Sequence, residues 1–370
     1  MKLMSWSSEE MSFMAHAIEV AERGRGRVRP NPLVGCVLVK DGKVIAEGWH
    51  DHLGGLHAEQ MAIHDAEENG HSPNGSTAYV TLEPCNHHGR TPPCTESLMW
   101  AGIKEVVIAH RDPNPTVRGD GIKVLKNEGI VVREGLLQDE AAFQMRSFLH
   151  WCENLRPLVS LKIAMDSDGN VDDLAADSKR FTSNDSLDAV HHLRKEVDAI
   201  IIGVETVQRD DPALTIRRID SEKQPLRVVM DRTLRIPHDC KLLNDEYETL
   251  VLHSEGDEVE WSKRMAPDED GFISPVAVLR MLGDRGFQEV LLEGGPSTAQ
   301  HFLRAGLVDR VLLVSTSHRF KQGVPLGISN EDLRANDMEV VNEFDWGGDM
   351  VHCWSRKGLG WPTPSWPTPL

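Results

Sequence analysis

The run STAYVTLEPCNHHGRTPPC, residues 76–94, decides how the first half of the chain folds. Residues 76–82 read as a strand, Cys85 follows it, and Cys94 closes a loop before a helix over 95–101. Upstream, His57-Ala58-Glu59 opens a helix over 58–67 just after a Gly-Gly turn. Further out, residues 8–24 carry Met11, Met14, Ala15, Ile18 and Ala21 at helical spacing. A Gly/Arg/Pro loop over 23–32 leads to strands at 34–39 and 44–48 around Asp41-Gly42. On the other side come a strand at 105–109, a helix at 121–127 and a strand at 131–134. This alternation implies an open sheet with helices packed on it. A long helical stretch, 138–154, ends at Arg156-Pro157, where a domain junction is expected.

A second alternation starts there. Strands are expected at 158–165, 199–203, 226–231, 249–253, 289–293 and 310–315. Helices are expected at 184–196, 274–286 and 297–305. The fully apolar 199–203 reads as a buried central strand. The division is therefore 1–154, 155–357 and a tail, 358–370, where four prolines in the last ten residues prevent a helix.

The chain has 370 residues, enough for two full cores. Forty Lys and Arg against 58 Asp and Glu leave a net charge of −18, which disfavours a nucleic-acid backbone as partner. No apolar run approaches a membrane span, and residues 1–10 do not read as a signal peptide. Six cysteines in so long a chain form no disulfide framework, so a reducing, cytoplasmic setting is expected, with metal binding the use of any cluster. A homo-oligomer is compatible with all of this.

One such cluster is present. His57, Cys85 and Cys94 give one imidazole and two thiolates, a donor set suited to zinc, with a fourth position left for water. Zinc lowers the pKa of such a water toward neutrality. Glu59, two residues after the histidine, is placed to take its proton and pass it to a leaving amino group. The order H-x-E, then P-C, then C agrees with zinc deaminases, although eight residues separate the cysteines instead of two. A structural zinc site would need a fourth protein ligand, for which His64, His87 and His88 are nearby in sequence. For His64 a solvated surface position is the better expectation.

Pro30-Asn31-Pro32-Leu33-Val34-Gly35-Cys36, His57-Ala58-Glu59, the run from Thr81 to Cys94, and Asp112-Pro113-Asn114-Pro115 followed by Gly119 and Gly121 together resemble one family. It is the bifunctional deaminase/reductase family of riboflavin biosynthesis, where the eight-residue spacing with Gly-Arg-Thr-Pro-Pro is usual. The likeness is close over residues 9–150 and looser to about 320. It implies an N-terminal cytidine-deaminase-like α/β/α sandwich and a C-terminal dihydrofolate-reductase-like α/β domain. It also implies Zn2+ and NADPH as cofactors, and a pyrimidine ribosyl phosphate as the small-molecule substrate. A ring amino group would be replaced by oxygen, and the ribosyl group then reduced to ribityl. Asn31, His50, His87 and Arg90 match positions that hold the deaminase substrate, and Arg90 with the histidines would suit its phosphate.

In the second half, Leu291-Leu292-Glu293-Gly294-Gly295-Pro296-Ser297 is a strand, two glycines and a helix start, where backbone and helix terminus can meet a phosphate. There is no G-x-G-x-x-G. Leu161-Lys162-Ile163-Ala164, residues 203–217 and residues 227–231 also match the reductase half. The resemblance places Lys162, Ser178, Arg194, Leu214, Arg217 and Glu293 at the substrate, Lys162 being needed for the hydride step. It places Ala164, Thr206, Asp210, Gly294 and Gly295 along NADPH. Three features depart from the family pattern: the turn Asp166-Ser167-Asp168-Gly169, Arg180 where a Trp is usual, and residues 315–323. Arg180 would suit the cofactor's 2′-phosphate. Three other readings compete with the bifunctional enzyme. They are a deaminase with a degenerate reductase-like domain, a nucleic-acid-editing deaminase, and a structural-zinc protein.

Overall fold

Beyond its first residue, the strand Thr77–Leu82 is buried throughout, which requires cover on both faces of its sheet. The computed structural model, which describes residues 6–87, 92–114, 120–173, 180–221 and 223–359, supplies that cover with helices. The chain divides into two compact units, Met1–Asn154 and Leu155–Leu370.

The first unit runs α1 (Ser8–Ala21), β1 (Gly35–Lys40), β2 (Lys43–Trp49), α2 (Ala58–Glu68), β3 (Thr77–Leu82), α3 (Cys94–Trp100), β4 (Glu105–His110), α4 (Asp120–Asn127), β5 (Val131–Glu134), α5 (Gln138–Gln144) and α6 (Arg146–Asn154). The sheet order is β2-β1-β3-β4-β5. The β1 pairings are antiparallel, and β3, β4 and β5 run parallel. One core packs α2, α3 and α4 on one face around Ala62, Val80, Leu98 and Ile108. The other packs α1, α5 and α6 around Met14, Val37, Val107 and Phe148. The sequence expected one helix over 138–154; instead Met145 leaves helical geometry at φ −96°, ψ 13°. The two resulting helices and Met145 between them bury Ala141, Met145 and Phe148 in the same core. Likewise α1 stops at Ala21, and residues 22–24 tighten into a 3-10 turn.

The second unit runs β6 (Leu158–Met165), β7 (Asn170–Asp173), α7 (Asn184–Glu196), β8 (Ala199–Gly203), α8 (Val204–Asp210), β9 (Leu226–Met230), β10 (Thr249–His253), β11 (Ser262–Arg264), α9 (Pro275–Asp284), β12 (Glu289–Leu292), α10 (Pro296–Arg304), β13 (Arg310–Ser315), β14 (Gly323–Pro325), α11 (Asn330–Ala335), β15 (Met338–Trp346) and β16 (Asp349–Arg356). Its large sheet has the order β11-β10-β9-β8-β12-β6-β13-β16-β15. It is parallel except for the antiparallel β13–β16 and β15–β16 pairs. β7 and β14 form a separate antiparallel pair. The closing hairpin was not expected. Its signal was Gly347-Gly348, both at positive φ (64° and 94°), the two-residue turn that joins antiparallel strands.

Glycine at position 48 sets the seat of α2. A Cβ there would lie 2.2 Å from Ala62 N and 2.3 Å from Ala58 O, both backbone atoms of that helix. Gly48→Ala should therefore destabilise the first unit by about 1–3 kcal/mol in urea unfolding. It should also lower zinc content, because α2 carries His57 at its start. A variant as stable and as metal-replete as wild type would contradict this close approach.

Candidate functional site

Three ligand atoms converge at the ends of three elements. His57 caps the N-terminus of α2, Cys85 follows β3, and Cys94 begins α3. His57 Nδ1 lies 3.2 Å from Cys94 Sγ and 3.6 Å from Cys85 Sγ. All three ligand atoms fall within 4.8 Å of one another. A tetrahedral zinc with sulfur at ~2.3 Å and nitrogen at ~2.05 Å spaces those ligands by about 3.6 Å. The donor chemistry and spacing therefore fit this ion. Hydrogen bonds from Cys94 and His57 pull the Cys85 thiol down to about 4, and the Cys94 thiol is correspondingly pushed up. Glu59 is 3% exposed and hydrogen-bonds with Cys94. Burial, then the Cys85 charge, raises its carboxyl to about 6.

The loop between the cysteines is tied at both ends. Thr95 Oγ1 donates to Asn86 Oδ1 at 2.8 Å, and Gln60 Nε2 donates to the Pro92 carbonyl at 2.9 Å. Beneath it, the buried Glu83 accepts the Asp112 and Ile122 N–H groups at 3.3 and 3.4 Å. Glu83 was not singled out from the sequence, although it sits inside the motif. His50 is buried with its ring edge-on to His57, centroids 5.3 Å apart, and contacts Asn31. His87 is exposed. His64 pairs with Glu68 on the solvent face of α2, away from the metal ligands. Arg90 and His88 lie outside the described residues, as does Ser178 in the second half.

The second unit holds a cavity of 1170 Å³, somewhat above the roughly 300–1,000 Å³ usual for ligand pockets. Lys162 and Ala164 reach it from β6, Arg194 from α7, and Thr206 and Asp210 from α8. Leu214 and Arg217 follow α8, Glu293, Gly294 and Gly295 link β12 to α10, and Arg180 lies before α7. So the described residues that the family resemblance assigned to the reductase half line one cavity. Arg194 binds Glu293 through two hydrogen bonds of 2.7 and 2.9 Å. Burial works against the Glu293 charge, but the Arg194 guanidinium holds its carboxyl below the ordinary range. Burial pushes the Lys162 ammonium below its ordinary range, opposed by Glu293. Directly after Glu293, a Cβ on Gly294 would meet Thr298 at 3.0 Å, and Gly295 caps α10. Backbone there can approach a ligand closely.

The departures from the family pattern interlock. Asp166 accepts the Asp168 and Asn170 N–H groups on one oxygen and the Phe320 N–H at 2.9 Å on the other. Asp168 pairs with Arg319 at 2.6 Å, and Ser167 N–H donates to the His318 carbonyl. Phe181, His318 and Phe320 form an aromatic cluster with centroids 4.8 to 5.7 Å apart. The changed turn and the changed 318–320 segment are thus each other's partners, and Phe181 lines the cavity.

The cytidine and deoxycytidylate deaminase zinc-binding region matches residues 7–110, and the RibD C-terminal domain matches residues 157–318. The chain is 38% identical to the riboflavin biosynthesis protein RibD of Aquifex aeolicus over 357 residues, 94% of this chain and 98% of that protein. The chain belongs to the RibD family. Its likeness to the RibD of Escherichia coli is 37% over 317 residues, 81% of this chain and 86% of that one. A solved RibD-family structure from Thermotoga maritima is 35% identical with a TM-score of 0.83, covering 95% of this chain and all of that one. That structure is described as a diaminohydroxyphosphoribosylaminopyrimidine deaminase/5-amino-6-(5-phosphoribosylamino)uracil reductase. The RibD of Acinetobacter baumannii superposes with a TM-score of 0.83 at 34% identity, covering 94% and 98%. The α/β class with a deaminase-like first half and a reductase second half stands, and the chain is a bifunctional riboflavin-biosynthesis enzyme. The zinc-binding region spans His57, Cys85 and Cys94. Among the described residues no helix is long and apolar enough to cross a membrane.

Arg194→Met would remove the hydrogen-bonded partner of the buried Glu293 and leave it only the Lys162 charge, at a cost of about 3–5 kcal/mol. Glu293 has a depressed folded pKa, so the pair's contribution is complete above the unfolded value of ~4.3 and is lost as pH falls through the folded one. Urea unfolding should therefore show the wild-type advantage at pH 7 and its decline below about pH 4. A deficit that is small at pH 7, or that grows on acidification, would contradict the pairing.

Proposed function

We propose that the first unit deaminates a diaminohydroxyphosphoribosylaminopyrimidine and that the second reduces the resulting 5-amino-6-(5-phosphoribosylamino)uracil with NADPH. The observation that carries this reading is the coexistence of two built sites. One is a His/Cys/Cys cluster with a buried carboxylate beside it, and the other is a cavity large enough for cofactor and substrate together.

Bound to His57, Cys85 and Cys94, zinc would supply a Lewis acid that lowers the pKa of a water toward neutrality. Glu59 takes the proton of that attacking water and hands it to the departing amino nitrogen, which leaves as ammonia. Asn31 and His50 orient the ring. His50 Nδ1 lies 2.9 Å from the Leu56 carbonyl, which only accepts, so Nδ1 carries the hydrogen. Nε2 then accepts from Asn31 Nδ2 at 3.0 Å, and Asn31 Oδ1 is left to accept from the substrate. His87 and Arg90 would stand at the phosphate end.

In the second unit NADPH would supply the hydride, held by Ala164, Thr206, Asp210 and the Gly294-Gly295 turn at the start of α10. Lys162 and Glu293 face the opened sugar, and the ammonium supports its developing negative charge. Arg194, Leu214, Arg217 and Ser178 would hold the rest of the substrate.

Glu59→Gln should keep one zinc per chain by metal analysis and lose deamination by at least ~10²–10⁴-fold in an ammonia-release assay. Near-normal ammonia release would remove Glu59 from its role, and metal-free fresh protein would remove the zinc site. Lys162→Ala should bind NADPH normally in a fluorescence titration yet fail to oxidise it on deaminated substrate; unchanged turnover rejects the lysine. Cys85→Ser should stop deamination while NADPH oxidation on deaminated substrate continues. A parallel loss in folded protein would show that the sites are coupled.

A further inference from the structure

Beside the main cavity of the second unit lies a lobe of 110 Å³ bounded by Arg180, Leu187, Val190, His191, Arg194, Arg217 and Arg218. It is far smaller than the roughly 300–1,000 Å³ of a whole ligand pocket and suits a terminal group. Among the described residues no carboxylate lines it. Two of its guanidiniums are already neutralised, Arg194 by Glu293 and Arg218 by Asp188. Arg180 and Arg217 have no carboxylate partner among the described residues. They are close enough that Arg217, pushed down first by burial, is pushed further by Arg194, Arg180 and Arg218. Like charges gathered around one lobe repel, and an anion placed among them relieves that repulsion.

His191 adds a neutral donor. Its Nδ1 accepts the backbone N–H of Arg217 at 3.2 Å, so the single hydrogen of the neutral ring sits on Nε2. Burial, then Arg194 and Arg217, lower the imidazole to about 4, so it stays neutral at physiological pH. Its remaining polar group is therefore an N–H at the wall of the lobe. Arg180 lines both the lobe and the main cavity.

We propose that His191 and Arg180 recognise the phosphate of the reductase substrate, His191 as a neutral Nε2–H donor and Arg180 as a cation beside Arg217 with no carboxylate partner among the described residues. This places Arg180 at the substrate end of the cavity, away from the cofactor's 2′-phosphate. It rests on reading the cavity as the reductase site. The phosphomonoester is thus gripped by one charge from the segment before α7 and one dipole from the α7 turn that also carries Arg194.

The test uses the full chain, with inorganic phosphate and NADPH as separate probes in calorimetric titrations. His191→Asn keeps an oxygen where Nδ1 stood, preserving the bond to Arg217, but removes the donor. It should weaken phosphate binding about tenfold or more. His191→Gln restores an N–H near the Nε2 position and should recover most of the affinity. Arg180→Ala and Arg180→Trp should weaken phosphate at least as much, with NADPH affinity unchanged in all four variants. In turnover, KM for the phosphorylated substrate should rise with kcat little changed, and a dephosphorylated analogue should not distinguish variants from wild type. Unchanged phosphate affinity in His191→Asn and Arg180→Ala overturns the proposal, as does a loss of NADPH affinity in the Arg180 variants with phosphate binding intact. Wild-type protein that binds NADPH but no phosphate overturns the proposal alone. Wild-type protein that binds neither overturns the reductase reading with it.

Discussion

Cys85, Cys94 and Glu59 in the first unit, and Lys162, Arg194 and Glu293 in the second, are largely withdrawn from water. Charged groups so placed must find partners or change protonation. The second unit resolves this internally, because the Arg194–Glu293 pair is bidentate and the Glu293 charge also acts on the Lys162 ammonium. The first unit leaves it open. Two sulfurs and an imidazole nitrogen crowd together with a buried carboxylate beside them, an arrangement that a bound cation would complete. The architecture serves these demands. Helix starts and strand ends deliver the groups, and close packing such as that at Gly48 fixes where the helices begin.

The first site was largely legible in the sequence because its parts are local in chain and rigid in type. A histidine at a helix cap and two cysteines flanking one loop leave little freedom for any other arrangement. The role of Glu83 was not legible, since a carboxylate that accepts backbone N–H groups carries no signal beyond its position. In the second unit the site is assembled from β6, α7, α8, the segment after α8, and the β12–α10 turn. No spacing rule connects such distant segments, and the family resemblance supplied those residues. His191 escaped notice because its importance comes from one hydrogen bond, to the Arg217 backbone, that no local pattern encodes.

The departures from the family pattern have a shared physical basis. Asp166 and Asp168 bind the segment containing Arg319 and Phe320, and Phe181 packs against His318 at a tilt and against Phe320 edge-on. The final hairpin extends the same sheet through β16 and β15.

The central claim is that one chain carries two working sites used in sequence. The most direct measurement supplies purified protein with the diaminopyrimidine ribosyl phosphate and NADPH, and follows ammonia and NADPH together. The expected result is one NADPH oxidised for each ammonia released, with NADPH oxidation lagging behind ammonia at early times. Ammonia release with no NADPH oxidation, at saturating cofactor, would contradict a working reductase half and leave a deaminase on a reductase-like scaffold.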